Sequence, residues 1–193
     1  LYIDFNNQKY VDVIEKCDTY IIDFQGEPIV TKFEFLKALA IARVYGFKEY
    51  EKALTFIKLN YSSTIEGKEA ERILDDVLPT VKNDRFLKND LSDNYKIVYR
   101  FDTVSNSDID SQITTLKKYI DKVDYLDLTV SEDFYNNIIT FVVVHGLKSY
   151  DGSLGLAERL ENSIDIQAKS FFVISTDNYK TIQIHKNLDK FEK

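Results

Sequence analysis

The chain contains no methionine and no tryptophan, and has two prolines, one cysteine and two histidines in 193 residues. Each shortage removes an option. A single cysteine, Cys17, cannot form an intrachain disulfide, so this is no disulfide scaffold, although a lone thiol leaves the compartment open. Two histidines, His145 and His185, offer little to acid–base catalysis, and neither has Cys or Glu at zinc-ligand spacing. Apolar runs such as residues 141–144 are too short to span a bilayer, and no signal-peptide pattern stands at the start. The missing methionine, with a start that reads as mid-helix, points to a piece of a longer protein whose targeting signal would lie upstream. The net charge of −7 is spread over both halves without like-charge runs, so no basic surface invites nucleic acid or anionic lipid.

What the chain does have is apolar mass. Hydrophobic residues make up 44%, with 13 Tyr and 13 Phe, enough to offset the ordering entropy of a folded chain. The length accommodates two small domains. An offset of 40 residues pairs Tyr10 with Tyr50, Val13 with Ala53, Ile14 with Leu54 and Cys17 with Ile57. Both copies, KYVDVIEKCDTYI and EYEKALTFIKLNY, carry apolar residues at helical spacing. Gln25 to Pro28 break the chain between them, and TKFEFLKALAIARVYG then runs apolar at Phe33, Leu36, Ala40 and Val44 until Gly46 stops it. At Gly46, Tyr50 and Ala53 the segment resembles the tetratricopeptide hairpin, matching its turn glycine, turn aromatic and small packing residue. It departs in its longer period, in a turn of about two residues after Gly46 and in a non-aromatic tryptophan position. A closing helix follows, capped by Ser63 or Thr64, with Ala70, Ile73, Leu74 and Val77 inward and Pro79 as the stop. Residues 81–94 read as a linker.

From Tyr95 the period changes. YKIVYRF is strand-like, and SDIDSQITTLKKYI sets Ile109, Ile113, Leu116 and Ile120 on one helical face behind a Ser107 cap. YLDLTV alternates Leu126, Leu128 and Val130, SEDFYN reads as a hairpin connection, and NIITFVVVH is a β-branched central strand. SYDGSLGLAERLEN forms a helix capped near Ser149 or Asp151, and SFFVIS a fourth strand. The expected fold class is α+β: tetratricopeptide-like hairpins over residues 1–89, then a ferredoxin-like βαββαβ domain with a C-terminal tail over 90–193. After Ser175 the tail suits a helix carrying Tyr179 and Ile182, capped by Ser175 or Thr176, with a strand over 181–184 as the rival.

No catalytic, cofactor-binding or metal constellation emerges. His145 ends a strand, and Cys17 sits on an apolar helix face with no base. The pairs Asp75–Asp76 and Glu132–Asp133 read as solvated surface. The turn Asp151 to Gly155 lacks the lysine and spacing of a phosphate loop, and the first turn of the α/β domain, DTVSNS, has no phosphate-cradling glycines. A small-molecule substrate or nucleic-acid partner is therefore not expected. Tyr2, Tyr20, Phe47 and Tyr61 are the candidate protein-contact residues, weighed against the plainer role of stacking repeats on one another.

The closing segment FFVISTDNYKTIQIHKNLDKF, following helical repeats and a split α/β unit, is similar to the C-terminal end of the SprE/PorW family, and FNNQKYVDVIEKCD and YSSTIEGKEAERIL resemble that family's repeats. These are tetratricopeptide lipoproteins of the type IX secretion and gliding-motility machinery. The resemblance implies a non-enzymatic scaffold on the periplasmic face of the outer membrane, anchored by a lipid on an upstream cysteine rather than on Cys17. It also implies partners among the outer-membrane translocon and the periplasmic ring or motor components. The rival expectation is a peptidoglycan-binding module, which would need an exposed, aromatic-rich sheet.

Overall fold

The computed structural model of the chain describes residues 1–88, 92–102, 106–122 and 127–192. It is an α+β protein in which helical hairpins precede a four-stranded antiparallel sheet. Two units divide it: Leu1–Arg85 with Ile182–Lys193, and Phe86–Thr181. The boundary expected at 89/90 thus falls at 85/86, and the tail is divided at 181/182 instead of belonging wholly to the α/β domain.

In the helical unit, α1 (Tyr2–Asn6) leads into α2 (Tyr10–Asp23), which buries Tyr10, Val13 and Cys17 at a spacing that returns to one helix face. Next, α3 (Val30–Tyr45) buries Leu36, Ala38, Ala40 and Val44 and packs on both α2 and α4 (Phe47–Asn60). Its small side chains permit two close neighbours. The α3–α4 turn is Gly46 alone, shorter than expected, with φ 81 and ψ −164, a backbone region open essentially only to glycine. A Cβ there would stand 2.8 Å from the Ile184 carbonyl oxygen.

The closing helix starts as expected: Thr64 Oγ1 accepts the Gly67 amide at 3.0 Å, capping α5 (Ile65–Arg72). Its end differs. A π turn (Ile73–Val77) carries the chain into α6 (Leu78–Val81), with the Leu78 amide reaching back to the Ile73 carbonyl. The extra residue in that turn rotates everything after it. Val77, expected inward, is therefore exposed, and Leu78 is buried in its place. Pro79 does not stop the helix, because it falls in the first turn of the resumed segment, where its missing N–H is tolerated.

The second unit runs β1 (Tyr95–Asp102), α7 (Asn106–Ile120), β2 (Thr129–Phe134), β3 (Ile139–Leu147), α8 (Tyr150–Ser163), β4 (Ser170–Ser175) and α9 (Thr176–His185), the last crossing the division at 181/182 and followed by α10 (Leu188–Phe191). The sheet order β2-β3-β1-β4, antiparallel throughout, is the ferredoxin-like arrangement. One sheet face presents Tyr95, Ile97, Tyr99, Phe101, Val142, Val144 and Val173 to Ile109, Leu116 and Ile120 of α7 and Leu156, Ala157 and Leu160 of α8. Period-2 strands and period-3.6 helices meet there as the sequence pattern requires.

The opposite face is not open. Val98, Phe141, Val143 and Ile174 are fully buried, and the rings of Tyr135 and Tyr179 lie 4.9 and 6.3 Å from that of Phe141. The second strand runs past its expected end at Val130: Thr129–Phe134 pairs with β3, and residues 135–138 make the turn. Asn136 explains this, because its Oδ1 accepts the amides of Ile138 and Ile139 at 2.9 and 2.8 Å and closes the chain there. Gly146, at φ 94, takes up a register slip opposite β1, and a Cβ on it would collide with the Asp127 carbonyl. The Ser107 side chain and Leu126 lie outside the described residues, as do residues 103–105 of the first turn.

Candidate functional site

The four residues expected to contact a partner do not share one environment. Tyr2 is exposed, and Tyr20 borders the surface in an aromatic group with Phe24 and Phe33, ring centroids 6.2 and 5.4 Å away. Tyr61 is half-buried. Phe47 is buried and cannot be a contact: it starts α4 immediately after the one-residue turn, so its ring points inward and stacks at 5.2 Å on His185. The partner of His185 is structural too, its Nε2 lying 2.9 Å from the Val81 carbonyl.

The groove on α3 and α4 is lined by none of these four residues. It encloses about 780 Å³, with Glu34, Lys37, Ile41 and Tyr45 on one side and Glu49, Lys52, Ala53 and Phe56 on the other. Of its lining residues, Tyr45 and Phe56 are 56% and 47% exposed. The rim charges are largely matched already: Lys37 pairs with Asp18 and Lys52 with Glu49. Glu34 is held above the usual carboxylate range by burial, against the pull of Lys37. The signal for this face is legible after the fact: Phe56 stands off the inward stripe of Leu54 and Ile57, where a helix ordinarily places polar groups. Among the described residues, eleven of the thirteen exposed large hydrophobics belong to residues 1–85. The helical unit is the one with apolar surface to offer.

The sheet unit contributes a polar chain along its second face. Lys96 Nζ on β1 lies 2.8 Å from His145 Nδ1 on β3, and His145 Nε2 lies 2.7 Å from Ser131 Oγ on β2. Ser131 donates to Asp133 Oδ1 at 2.8 Å, and the Tyr179 hydroxyl of α9 donates to Asp133 Oδ2 at 2.6 Å. Lys96 Nζ also sits 5.6 Å above the Tyr179 ring. Ser, His and Asp together suggest a hydrolase, but the polarity is wrong for one. The serine has a single proton and gives it to Asp133, so at His145 it must accept, and Nε2 must carry the hydrogen. Nδ1 is then the acceptor that the Lys96 ammonium requires. In this tautomer the imidazole cannot take the serine proton, and the carboxylate that should orient the base holds the nucleophile instead.

The other chemical candidates disperse as well. Glu132 and Asp133, neighbours on β2, point to opposite sheet faces and cannot flank one bond. Asp75 pairs with Lys58 at 3.3 Å. Ser149 Oγ accepts the Gly152 amide at 3.2 Å, so the turn before α8 is a self-capped helix start. Cys17 is buried, its thiol pushed up to about 11 first by burial and then by Asp18. No three His, Cys, Asp or Glu side chains converge on a metal position among the described residues, where also no helix is long and apolar enough to cross a membrane. No protein-family model matches the chain, and comparison with curated proteins finds no match.

Proposed function

We propose that this chain is a non-catalytic adaptor whose helical unit receives a partner segment in the α3–α4 groove. The observation that carries the reading is the pair Tyr45 on α3 and Phe56 on α4, both exposed and lining one groove together with Ile41 and Ala53. An amphipathic helix laid along such a groove buries its apolar stripe and leaves its charges at the rim. The resemblance to the SprE/PorW family supplies the setting. The adaptor then serves type IX secretion at the periplasmic face of the outer membrane, held by a lipid anchor outside this segment. It links the outer-membrane translocon to periplasmic ring or motor components. Cys17 is no candidate for the lipid, being buried in the α2 face.

A photo-crosslinking residue in place of Tyr45, introduced into the intact protein in cells that carry the machinery, tests this. Adducts to a translocon or ring component, lost when Phe56→Asp is added, are the expected result. Adducts confined to proteins outside that machinery, or none at Tyr45 while Tyr2 gives them, would overturn it. The peptidoglycan alternative gains no support, since no aromatic side chain of the sheet is exposed among the described residues.

A further inference from the structure

With Lys96 as an ammonium and Asp133 as a carboxylate, the polar chain on the second sheet face has one consistent pattern of hydrogens, and that pattern constrains the charge on His145. Asp133, as a carboxylate, only accepts; it takes one hydrogen from Tyr179 and one from Ser131. Ser131 thereby accepts from His145 Nε2, and Nδ1 must offer a lone pair to Lys96 2.8 Å away. A doubly protonated imidazole breaks this arrangement. Its Nδ1–H would face the Lys96 ammonium, two cations with hydrogens turned toward each other at hydrogen-bond distance.

We infer that the chain Lys96–His145–Ser131–Asp133–Tyr179 is a proton-sensitive latch, fastening the first part of α9, residues 176–181, to the sheet while His145 is neutral and loosening it when His145 takes a proton. Every element packed around the imidazole contributes: β1 brings Lys96, β2 brings Ser131 and Asp133, and α9 brings Tyr179, with Lys180 adding positive charge near Lys96. Among the described residues, Asp133 is the carboxylate that opposes the proton's cost. Displacing Lys96 removes its ammonium from above the Tyr179 ring, and Tyr179 is the α9 side chain that ties this segment to β2. Burial, then Lys96, holds His145 below its ordinary value. A depressed histidine contributes stability that is complete above the ordinary value near 6.5 and is lost as pH falls from there toward the folded value. The device is independent of the groove and of what occupies it.

Hydrogen exchange of the whole chain, expressed as protection factors from about pH 7.5 to about pH 5, reads the latch. Peptides covering residues 176–181 should lose about tenfold more protection than those of α7. His145→Gln supplies one acceptor and one donor in similar places without a titrating charge, so in that variant the extra loss should vanish. Lys96→Met removes the opposing cation, and there the loss should shrink. An undiminished loss in His145→Gln, or constant protection at a pH where the imidazole's NMR shift shows it protonated, would overturn the inference. Should His145→Gln fail to fold, Lys96→Met and the imidazole titration decide it: an undiminished loss in Lys96→Met, or an imidazole that titrates at or above 6.5, has the same consequence.

Discussion

Replacing Gly46 by alanine attacks the helical unit at its tightest point. At φ 81 and ψ −164 the backbone is in a region that costs a residue with a Cβ roughly 1–3 kcal/mol. The new Cβ would also meet the Ile184 carbonyl oxygen and Lys186 Cγ, each at 2.8 Å, and one of the two is backbone that cannot turn aside. Moving residues 184–186 adds an overpacking cost on the order of 1–3 kcal/mol, so about 3 kcal/mol in all is expected. Gly26→Ala is the internal comparison: its φ is 91 but nothing stands within 4 Å of the added carbon, so only the backbone cost of about 1 kcal/mol applies. Hydrogen exchange in peptides of α3 and α4 measures both, with β1 and β3 peptides as reference, because a two-unit chain has no single unfolding free energy. Exchange in Gly46→Ala should accelerate about a hundredfold, and in Gly26→Ala several-fold. Equal acceleration in the two variants would refute the claim that close approach, rather than φ alone, demands glycine at 46.

Other outcomes follow from single contacts. Thr64→Ala removes the α5 cap and should cost about 1 kcal/mol, with Thr64→Ser restoring most of it, as read by hydrogen exchange in α5 peptides. Gly155→Ala, inside α8 with open space around the new carbon, should instead stabilise by roughly 0.5–1 kcal/mol. Lys186, lowered to about 7 by burial and then by Arg43, binds its proton more weakly folded than unfolded. Stability should therefore rise between about pH 7 and about pH 10.5, by at most about 1.4 kcal/mol per unit, and Lys186→Met should abolish that rise. Cys17 should react with a thiol reagent only as fast as α2 opens, and at the rate of a free thiol in denaturant.

The features that the sequence conveys well are those whose chemistry is local. A cap needs one oxygen and an amide three residues on, so Thr64, Ser149 and, for α9, Ser175 with the Asn178 amide at 3.3 Å could be read from a few letters. Strands β3 and β4 were legible because both sheet faces are covered, which leaves continuous apolar stretches at residues 141–144 and 171–174, and β1 because apolar residues at 95, 97, 99 and 101 keep period 2. Even the strand order follows once a split βαβ pattern is recognised, since short right-handed connections leave few alternatives.

Phase and register accumulate along the chain, and there the pattern fails. Counting 3.6 residues per turn from Ala70 brings Val77 inward, and only the π turn at Ile73–Val77, a backbone event without a residue signature here, exchanges it for Leu78. The second strand shows the same weakness. The alternation of Leu126, Leu128 and Val130 ends the strand too early, because the Asn136 turn, not the hydrophobic pattern, decides where β2 meets β3. The polar chain depends on that register. Ser131 reaches His145 because Thr129 pairs with His145, and a slip of one residue would send Ser131 and Asp133 to the opposite face. Five side chains from three strands and a helix thus depend on a turn at Asn136 and a glycine at 146, neither of which takes part in the chain of hydrogen bonds. Its charge logic can be derived once the register is known, and until then His145 is indistinguishable from any histidine at the end of a strand.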